Sequence, residues 1–285
     1  MSGRARPGSL VDRAFRRLET GPTSTEDLAA DVLSLRGHPG AAGKAVLALL
    51  GGDSRFEVDP QGMWRLAPGA VPVGTPLRDL RFAVVDVETT GGPFSRGHRI
   101  TEVAVVEVRS GRVEESWHTL VHPGRPVPPS IFRLTGISDA LLAGAPYFDE
   151  IANEVAARLE GRVFVAHNVG FDWGFVSRQI GETSGAVPRV PRLCTVRLAK
   201  RLLPQLRNRS LDGLADHFEV PIYDRHRAYG DALATARVLV RLLDLAERMG
   251  LSDLHALQRY LRYVPRRERP RRPRVQTDLF TPGHG

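Results

Sequence analysis

Cysteine is all but missing from this chain: Cys194 is the only one among 285 residues. A lone cysteine excludes an intrachain disulfide and fits a reducing compartment. No motif around Cys194 argues for a nucleophile, so it reads as a small buried hydrophobe. Long apolar runs are absent as well. The longest unbroken one, Ala45 to Leu50, is far too short to span a bilayer. Arg4 and Arg6 are followed by no apolar segment, so no secretory leader is expected and the chain reads as cytoplasmic, without a membrane partner. Lysine is nearly missing too, since Lys44 and Lys200 are the only two of the 40 basic residues. A bias of that kind can reflect genome composition, so arginine abundance alone says little about binding.

What is present is ordinary in bulk and uneven in detail. An apolar content of 42% and a charged content of 25% suit a globular protein. The length allows one large domain, or a medium one with a small companion. The formal net charge of +8 suggests a polyanionic partner. Its distribution is more telling: residues 259–274 (RYLRYVPRRERPRRPR) hold eight arginines against one glutamate. The rest of the chain is therefore close to balanced, and the basic character is concentrated near the C-terminus.

The first 68 residues read as a compact unit. Leu10 to Leu18 predicts a short helix, Ser24 or Thr25 can cap a second one running through Leu35, and Ala41 to Leu50 predicts a third after the break at Gly37-His-Pro-Gly40. Arg55 to Val58 and Met63 to Leu66 flank Asp59-Pro-Gln-Gly62 as a hairpin. Three helices and a hairpin resemble a winged-helix domain. That shape often binds DNA, yet the third helix offers only Lys44 as a basic residue, so a packing or protein-interaction role is an equal reading. Residues 67–79 carry three prolines and two glycines, which places a linker over 69–79. From Leu80 the pattern changes. Arg81–Val87, Ile100–Val108 and Val113–Val121 predict a strand meander with a turn at Ser110-Gly111. A helix over Ile151–Leu159, a short buried strand over Val163–Ala166 and helices over Phe171–Ile180, Thr195–Leu203, Ser210–Phe218 and Ala228–Met249 follow. A meander followed by alternating strand and helices indicates an α/β domain with a mixed sheet, here assigned to residues 80–262. Residues 263–285, an Arg/Pro run without apolar residues at its heart, are expected to be a disordered basic tail.

Three short clusters carry the chemistry: Asp86-Val-Glu88, His167-Asn168-x-x-Phe171-Asp172, and His226-x-x-x-x-Asp231. Asp86 and Glu88 are two apart on a strand, so both side chains leave one face and repel each other unless a cation joins them. Thr89-Thr90-Gly91-Gly92 follows as a tight turn. His167 and Asn168 come at the end of a strand and Asp172 opens the next helix, a junction where α/β proteins place ligands. Helix capping and complementing the helix dipole are alternative roles for these three. His226 and Asp231 would point about 140° apart on one helix, so His226 is expected in the loop before the helix and Asp231 on its inner face. A loop histidine can take a proton from water near neutral pH.

Taken together, the order and spacing of these clusters resemble the DEDDh exonucleases, the family of the proofreading epsilon subunit of bacterial replicative polymerase. Arg99-Ile-Thr-Glu102, Leu134-Thr-Gly-Ile137 and Leu198-Ala-Lys-Arg-Leu-Leu-Pro204 look similar as well. Gly92 departs from the pattern, because the family usually has leucine there. The resemblance implies a ribonuclease H-like mixed five-stranded sheet flanked by helices. It implies that Asp86, Glu88 and Asp231 hold one metal, that Asp86 and Asp172 engage a second, and that His226 is the catalytic base. Mg²⁺ or Mn²⁺, two ions per site, suits such an all-oxygen set. Thr89, His167 and Asn168 would lie near the terminal nucleotide or its phosphate. The activity implied is 3′→5′ hydrolysis of DNA to nucleoside 5′-monophosphates, in proofreading or repair.

Near the end of the chain, Gln276-Thr277-Asp278-Leu279-Phe280 resembles the peptides with which bacterial proteins dock on the sliding clamp. Leu279 and Phe280 would be the apolar anchors and Gln276 would fix the register. A clamp and a DNA polymerase are therefore the expected partners beside DNA 3′ ends. RNA is the rival substrate, since the catalytic set does not choose the sugar, and a non-catalytic scaffold is the rival from another class.

Overall fold

The computed structural model describes residues 9–37, 39–53 and 55–262. The proposed docking peptide Gln276, Leu279 and Phe280, with the rest of the basic tail, lies outside the described residues.

Helix α1 (Leu10–Glu19) starts at a reciprocal cap: Ser9 Oγ accepts the Asp12 N–H at 3.2 Å, and Asp12 Oδ2 accepts the Ser9 N–H at 3.0 Å. Strand β1 (Thr23–Ser24), α2 (Thr25–Leu33), α3 (Pro39–Leu50), β2 (Phe56–Val58) and β3 (Met63–Leu66) complete the N-terminal elements. The three strands pair antiparallel in the order β1-β3-β2. Phe15, Leu28, Leu50 and Trp64 anchor a hydrophobic cluster of their own. Two boundaries shift by two residues from the sequence reading. α2 stops at Leu33 because Ser34 turns left-handed, with φ 58°. α3 opens at Pro39 rather than Ala41, since a first helical turn tolerates proline. β1, two residues long, leaves no pattern to read.

Residues 69–79, read as a linker, are tied down on both sides. Ala67 is buried, and a 3₁₀ turn over Leu77–Asp79 buries Leu77 and Leu80 in the main core. The Leu77 N–H also donates to the Ser252 carbonyl at 2.9 Å.

The main sheet has five strands: β4 (Arg81–Thr89), β5 (Ile100–Arg109), β6 (Arg112–Leu120), β7 (Val163–Ala166) and β8 (Arg192–Cys194). Their order is β6-β5-β4-β7-β8. β4, β5 and β6 pair antiparallel, while β4–β7 and β7–β8 are parallel. Ser110 and Gly111 at the β5–β6 turn both have positive φ, 50° and 71°, as a two-residue hairpin turn requires. The expected mixed five-stranded sheet is present. β8 escaped the sequence reading because it has only three residues and follows Pro191.

Among the described residues eight helices follow the meander: α4 (Pro129–Thr135), α5 (Asp139–Leu142), α6 (Phe148–Leu159), α7 (Val169–Ser184), α8 (Thr195–Leu202), α9 (Leu211–Phe218), α10 (Ala228–Arg248) and α11 (Leu254–Arg262). Strand alternation sorts the core into two layers. Phe82 and Val84 pack with Leu198, Leu214 and Leu239 of α8, α9 and α10. Ala83, Val85 and Val87 pack with Val155, Phe175 and Val176 of α6 and α7. No helix among the described residues is long and apolar enough to cross a membrane.

Candidate active site

The parallel strands β4, β7 and β8 all end at one edge of the sheet, where the chain moves into α7 and α8. Asp86 and Glu88 alternate with Val85 and Val87, which face α6 and α7. Both carboxylates therefore leave on the α10 side. The first turn of α10 brings Asp231 to them, and one carboxylate oxygen from each of Asp86, Glu88 and Asp231 lies within 4.8 Å of the others. Asp172, buried in the first turn of α7, joins them from the other layer, and its Oδ1 accepts the Val87 N–H at 3.3 Å. Three sequence clusters that lie far apart in the chain thus meet at one sheet edge.

Crowding of like charges shows in the protonation of the group. Burial, then the charges of Asp172, Asp231 and Glu88, pushes the Asp86 carboxyl well above the usual range. Glu88 is pushed up to about 8, first by burial and then by Asp231 and Glu102. Burial raises Asp172 to about 7 against hydrogen bonds from its own backbone and Val87. Asp231 is also raised by burial, although Arg225 and His226 pull it the other way. Asp231 Oδ1 is buried and has no hydrogen-bond partner among the described residues. An orphaned acceptor among carboxylates that cannot all ionise alone fits a divalent cation. The all-oxygen donor set suits Mg²⁺ or Mn²⁺ better than zinc.

His226 sits in the loop ahead of α10, with the left-handed φ of 64°. Asp224 in the same loop is also left-handed, at φ 48°; backbone in such regions tends to gather at functional sites. Gly230 lets this loop lie against α10, because a Cβ there would come within 1.9 Å of the Tyr223 carbonyl.

Sequence reasoning missed the groups that hold the loop. Glu102 on β5, opposite Glu88 in the ladder, is 1% exposed. It takes two hydrogen bonds from Arg227, Nε at 2.9 Å and NH2 at 2.8 Å, and a third from the Ala228 N–H at 3.0 Å. A single carboxylate thus caps α10 and fixes the residue next to His226. On the other side of His226, Arg225 contacts Asp231 and donates Nε to Asp212 at 2.9 Å. The readable signal was the Arg225-His226-Arg227 triplet, together with an acid inside the apolar β5: a buried glutamate requires a cation.

The remaining expected residues have definite places. Thr89 is buried, and its hydroxyl accepts the Gly91 N–H at 3.1 Å. His167 Nδ1 is 2.9 Å from Thr195 Oγ1. Burial, then Arg225, holds the His167 imidazole down to about 4, so it is neutral at physiological pH. Asn168 is exposed at the head of α7 with φ 75°, and its side chain makes no capping bond. Gly92, the departure from the resembled pattern, lies under the His98 ring. A Cβ at 92 would come within 2.2 Å of His98 Nε2, and the His98 ring is held by the Thr90 carbonyl at 2.9 Å. The histidine occupies the space a side chain would need.

The geometry agrees with the kinship of the chain. Residues 83–239 match the model of the Exonuclease (RNase_T) family. The chain is 32% identical over 194 residues to the DNA polymerase III subunit epsilon of Aquifex aeolicus, covering 68% of this chain and 96% of that one. A Mycobacterium tuberculosis protein named as a bifunctional exonuclease/endonuclease is 37% identical over 217 residues, 73% of this chain but only 33% of that protein. The 3′-5′ exonuclease DinG of Bacillus subtilis is 32% identical over 63% of this chain and 19% of its own length. Against the longer relatives the chain thus spans a third or less. In fold, Escherichia coli exonuclease I in complex with a dT13 oligonucleotide superposes with TM-score 0.53 at 16% identity, over 60% of this chain and 43% of that one. The nuclease domain of 3′hExo, a DEDDh family member bound to rAMP, superposes with TM-score 0.51 at 17% identity, over 60% and 94%. With its sheet, its acidic edge and these relatives, the chain belongs to the DEDDh 3′→5′ exonucleases, a family of hydrolytic enzymes.

Proposed function

We propose that the protein removes nucleotides from DNA 3′ ends as 5′-monophosphates, in proofreading or in repair. The observation that carries this reading is the convergence of Asp86, Glu88 and Asp231 within 4.8 Å, with buried Asp172 beside them. The near full-length match to a polymerase epsilon subunit supports DNA as the polymer. Asp86, Glu88 and Asp231 would hold one divalent cation, and Asp86 with Asp172 a second. When bound, such cations stabilise the charge that develops on the attacking and leaving oxygens. His226 accepts the proton of the attacking water, from a loop fixed by Glu102 and Arg227. Asn168, with its side chain free, and neutral His167 lie beside the terminal nucleotide, and Thr89 shapes the turn next to it. The basic tail carries Gln276, Leu279 and Phe280, which we read as a sliding-clamp peptide that would bring the enzyme to replicating DNA. The order helix, strand, two helices, two strands supports a winged-helix-like reading of residues 1–68.

The test is an assay of single-stranded, paired and mismatched DNA 3′ ends, with RNA of the same sequence alongside. Mg²⁺-dependent release of 5′-mononucleotides, faster from DNA and abolished by EDTA, is expected. Faster degradation of RNA would replace DNA as the substrate, and cleavage that survives EDTA would discard the metal assignment.

A further inference from the structure

A cavity of about 370 Å³ opens between the N-terminal elements, β8, the start of α7 and α11. Its position follows from the chain. Gly170 lines it, two residues before Asp172. Cys194 lines it, directly before Thr195, whose hydroxyl meets His167. The cavity therefore lies along β8 and the start of α7, two strands from the carboxylates of β4.

The cavity is strongly basic. Arg55, Arg192, Arg197 and Arg262 line it, against the single acid Asp53. Asp53 and Arg55 offset each other, with Asp53 Oδ2 accepting from Arg55 NH2 at 2.6 Å and Oδ1 from Arg55 Nε at 2.8 Å, which leaves Arg192, Arg197 and Arg262 in excess. Arg192 and Arg197 are exposed and, among the described residues, form no ion pair. The Arg192 guanidinium lies 5.2 Å from the Trp173 ring centre, which steers it without neutralising it. The N-terminus of the sixteen-residue α7 at Gly170 adds backbone positive charge to the same wall. Arg262 stands where the chain continues into six further arginines before residue 275. Two of the four lining arginines, Arg55 and Arg262, lie outside the segment 83–239 matched by the exonuclease family. The N-terminal elements and α11 thus add this feature to the nuclease sheet.

Unpaired guanidinium groups in a concave site recognise phosphate. We propose that the cavity is a second nucleic-acid subsite. It holds a backbone phosphodiester of the strand whose 3′ end occupies the carboxylate edge, so that the N-terminal elements and α11 help grip the substrate upstream of the cut. This inference rests on the exonuclease reading for the direction of the strand, though not for the binding itself. The ligand chemistry is the phosphodiester, common to DNA and RNA.

Binding of a fluorescein-labelled 12-nucleotide single strand to the full-length protein in EDTA, followed by anisotropy, tests it apart from catalysis. An Arg192→Ala/Arg197→Ala double variant is expected to raise Kd about tenfold for both DNA and RNA. The slope of log Kd against log salt should fall by about 0.7, the amount for one single-strand phosphate that is no longer neutralised. In Mg²⁺, the ratio of kcat/KM for the 12-mer to that for a dinucleotide should fall by a similar factor. Unchanged Kd and an unchanged ratio would overturn the proposal. So would a variant that loses affinity only for a nucleoside 5′-monophosphate, which would make the cavity a mononucleotide site. Absence of cleavage by the unaltered protein on every substrate would instead count against the exonuclease reading and leave the binding result to decide this one.

Discussion

The strands β4 and β5 carry acidic residues at both ends of their ladder, and the two ends treat them in opposite ways. At one end Glu107 accepts Arg81 Nε at 2.6 Å and Arg162 NH2 at 2.7 Å. Those two arginines, led by Arg81, bring its carboxyl down to about 2 despite partial burial. At the other end Asp86 and Glu88 face Asp172 and Asp231, and burial raises all four, with repulsion from neighbouring acids adding to it at Asp86 and Glu88. One end is electrostatically closed by the protein itself. The other is left acidic in excess, with Arg225 contacting Asp231 within it. The contrast separates acids that stabilise the fold from acids kept for a ligand, and neither composition nor burial alone would make that distinction.

The sharpest way to break the comparison is to neutralise one acid at each end. Asp86→Asn is expected to lower kcat by roughly 10³-fold or more, the scale of several kcal/mol of charge stabilisation, while raising the Tm of the metal-free protein. Glu107→Gln should do the reverse: activity is kept, and stability falls by about 1 kcal/mol as a surface-proximal pair is lost. Steady-state kinetics and thermal melts of the two variants in parallel decide it; equal behaviour would dissolve the distinction.

A second prediction concerns Glu102, which stands beside the acidic end yet is closed by Arg227. Arg227→Ala leaves a buried carboxylate unpaired, at a cost of about 3 kcal/mol, and frees the loop that carries His226. Both Tm and turnover should drop. Glu102→Gln, which keeps a hydrogen-bonding partner for Arg227, should recover much of the stability. If Arg227→Ala lowers Tm but leaves the pH–rate profile untouched, the loop does not depend on this pair.

The smallest expected effect is in pH dependence, where the two ends should give opposite limbs. Glu88 titrates in the fold at about 8, above its ordinary 4.5. Its contribution in the metal-free protein is therefore fully present below 4.5 and lost as pH rises through 8. Glu107, held at about 2, contributes above 4.5 and loses that contribution as pH falls through 2. The gap between Tm in Mg²⁺ and Tm in EDTA should accordingly widen from about pH 4.5 to about pH 8. A gap that stays constant over this range would show that the cation does not relieve the crowded acids.

Much of this could be read from the sequence, and the reasons are local. β4, β5 and β7 have apolar alternation or continuous apolar character, and α10 has a 21-residue amphipathic run, so each declares itself. Asp86, Glu88, Asp172, His226 and Asp231 stood out because acids interrupted such patterns in a recognisable order. What stayed hidden depends on partners distant in sequence. β8 is three residues held by β7. α11 was obscured because its arginines looked like part of the basic tail, although Leu254 and Leu257 are buried. The pairing of Glu102 with Arg227 joins residues on β5 and the α10 loop, and nothing in either segment names the other.

The tie between the two ends of the described chain bears on how the protein forms. Leu77 donates to Ser252, Asp12 accepts from Arg259 NH1 at 3.0 Å, and His255 donates Nε2–H to Val71 at 2.9 Å. During synthesis the segments around Asp12 and Val71 emerge first, and their partners on and just before α11 emerge only near the end. Pairings of such long sequence separation form late and slowly. The first elements must therefore wait, with this face open, until the nuclease sheet is complete and α11 can close over them.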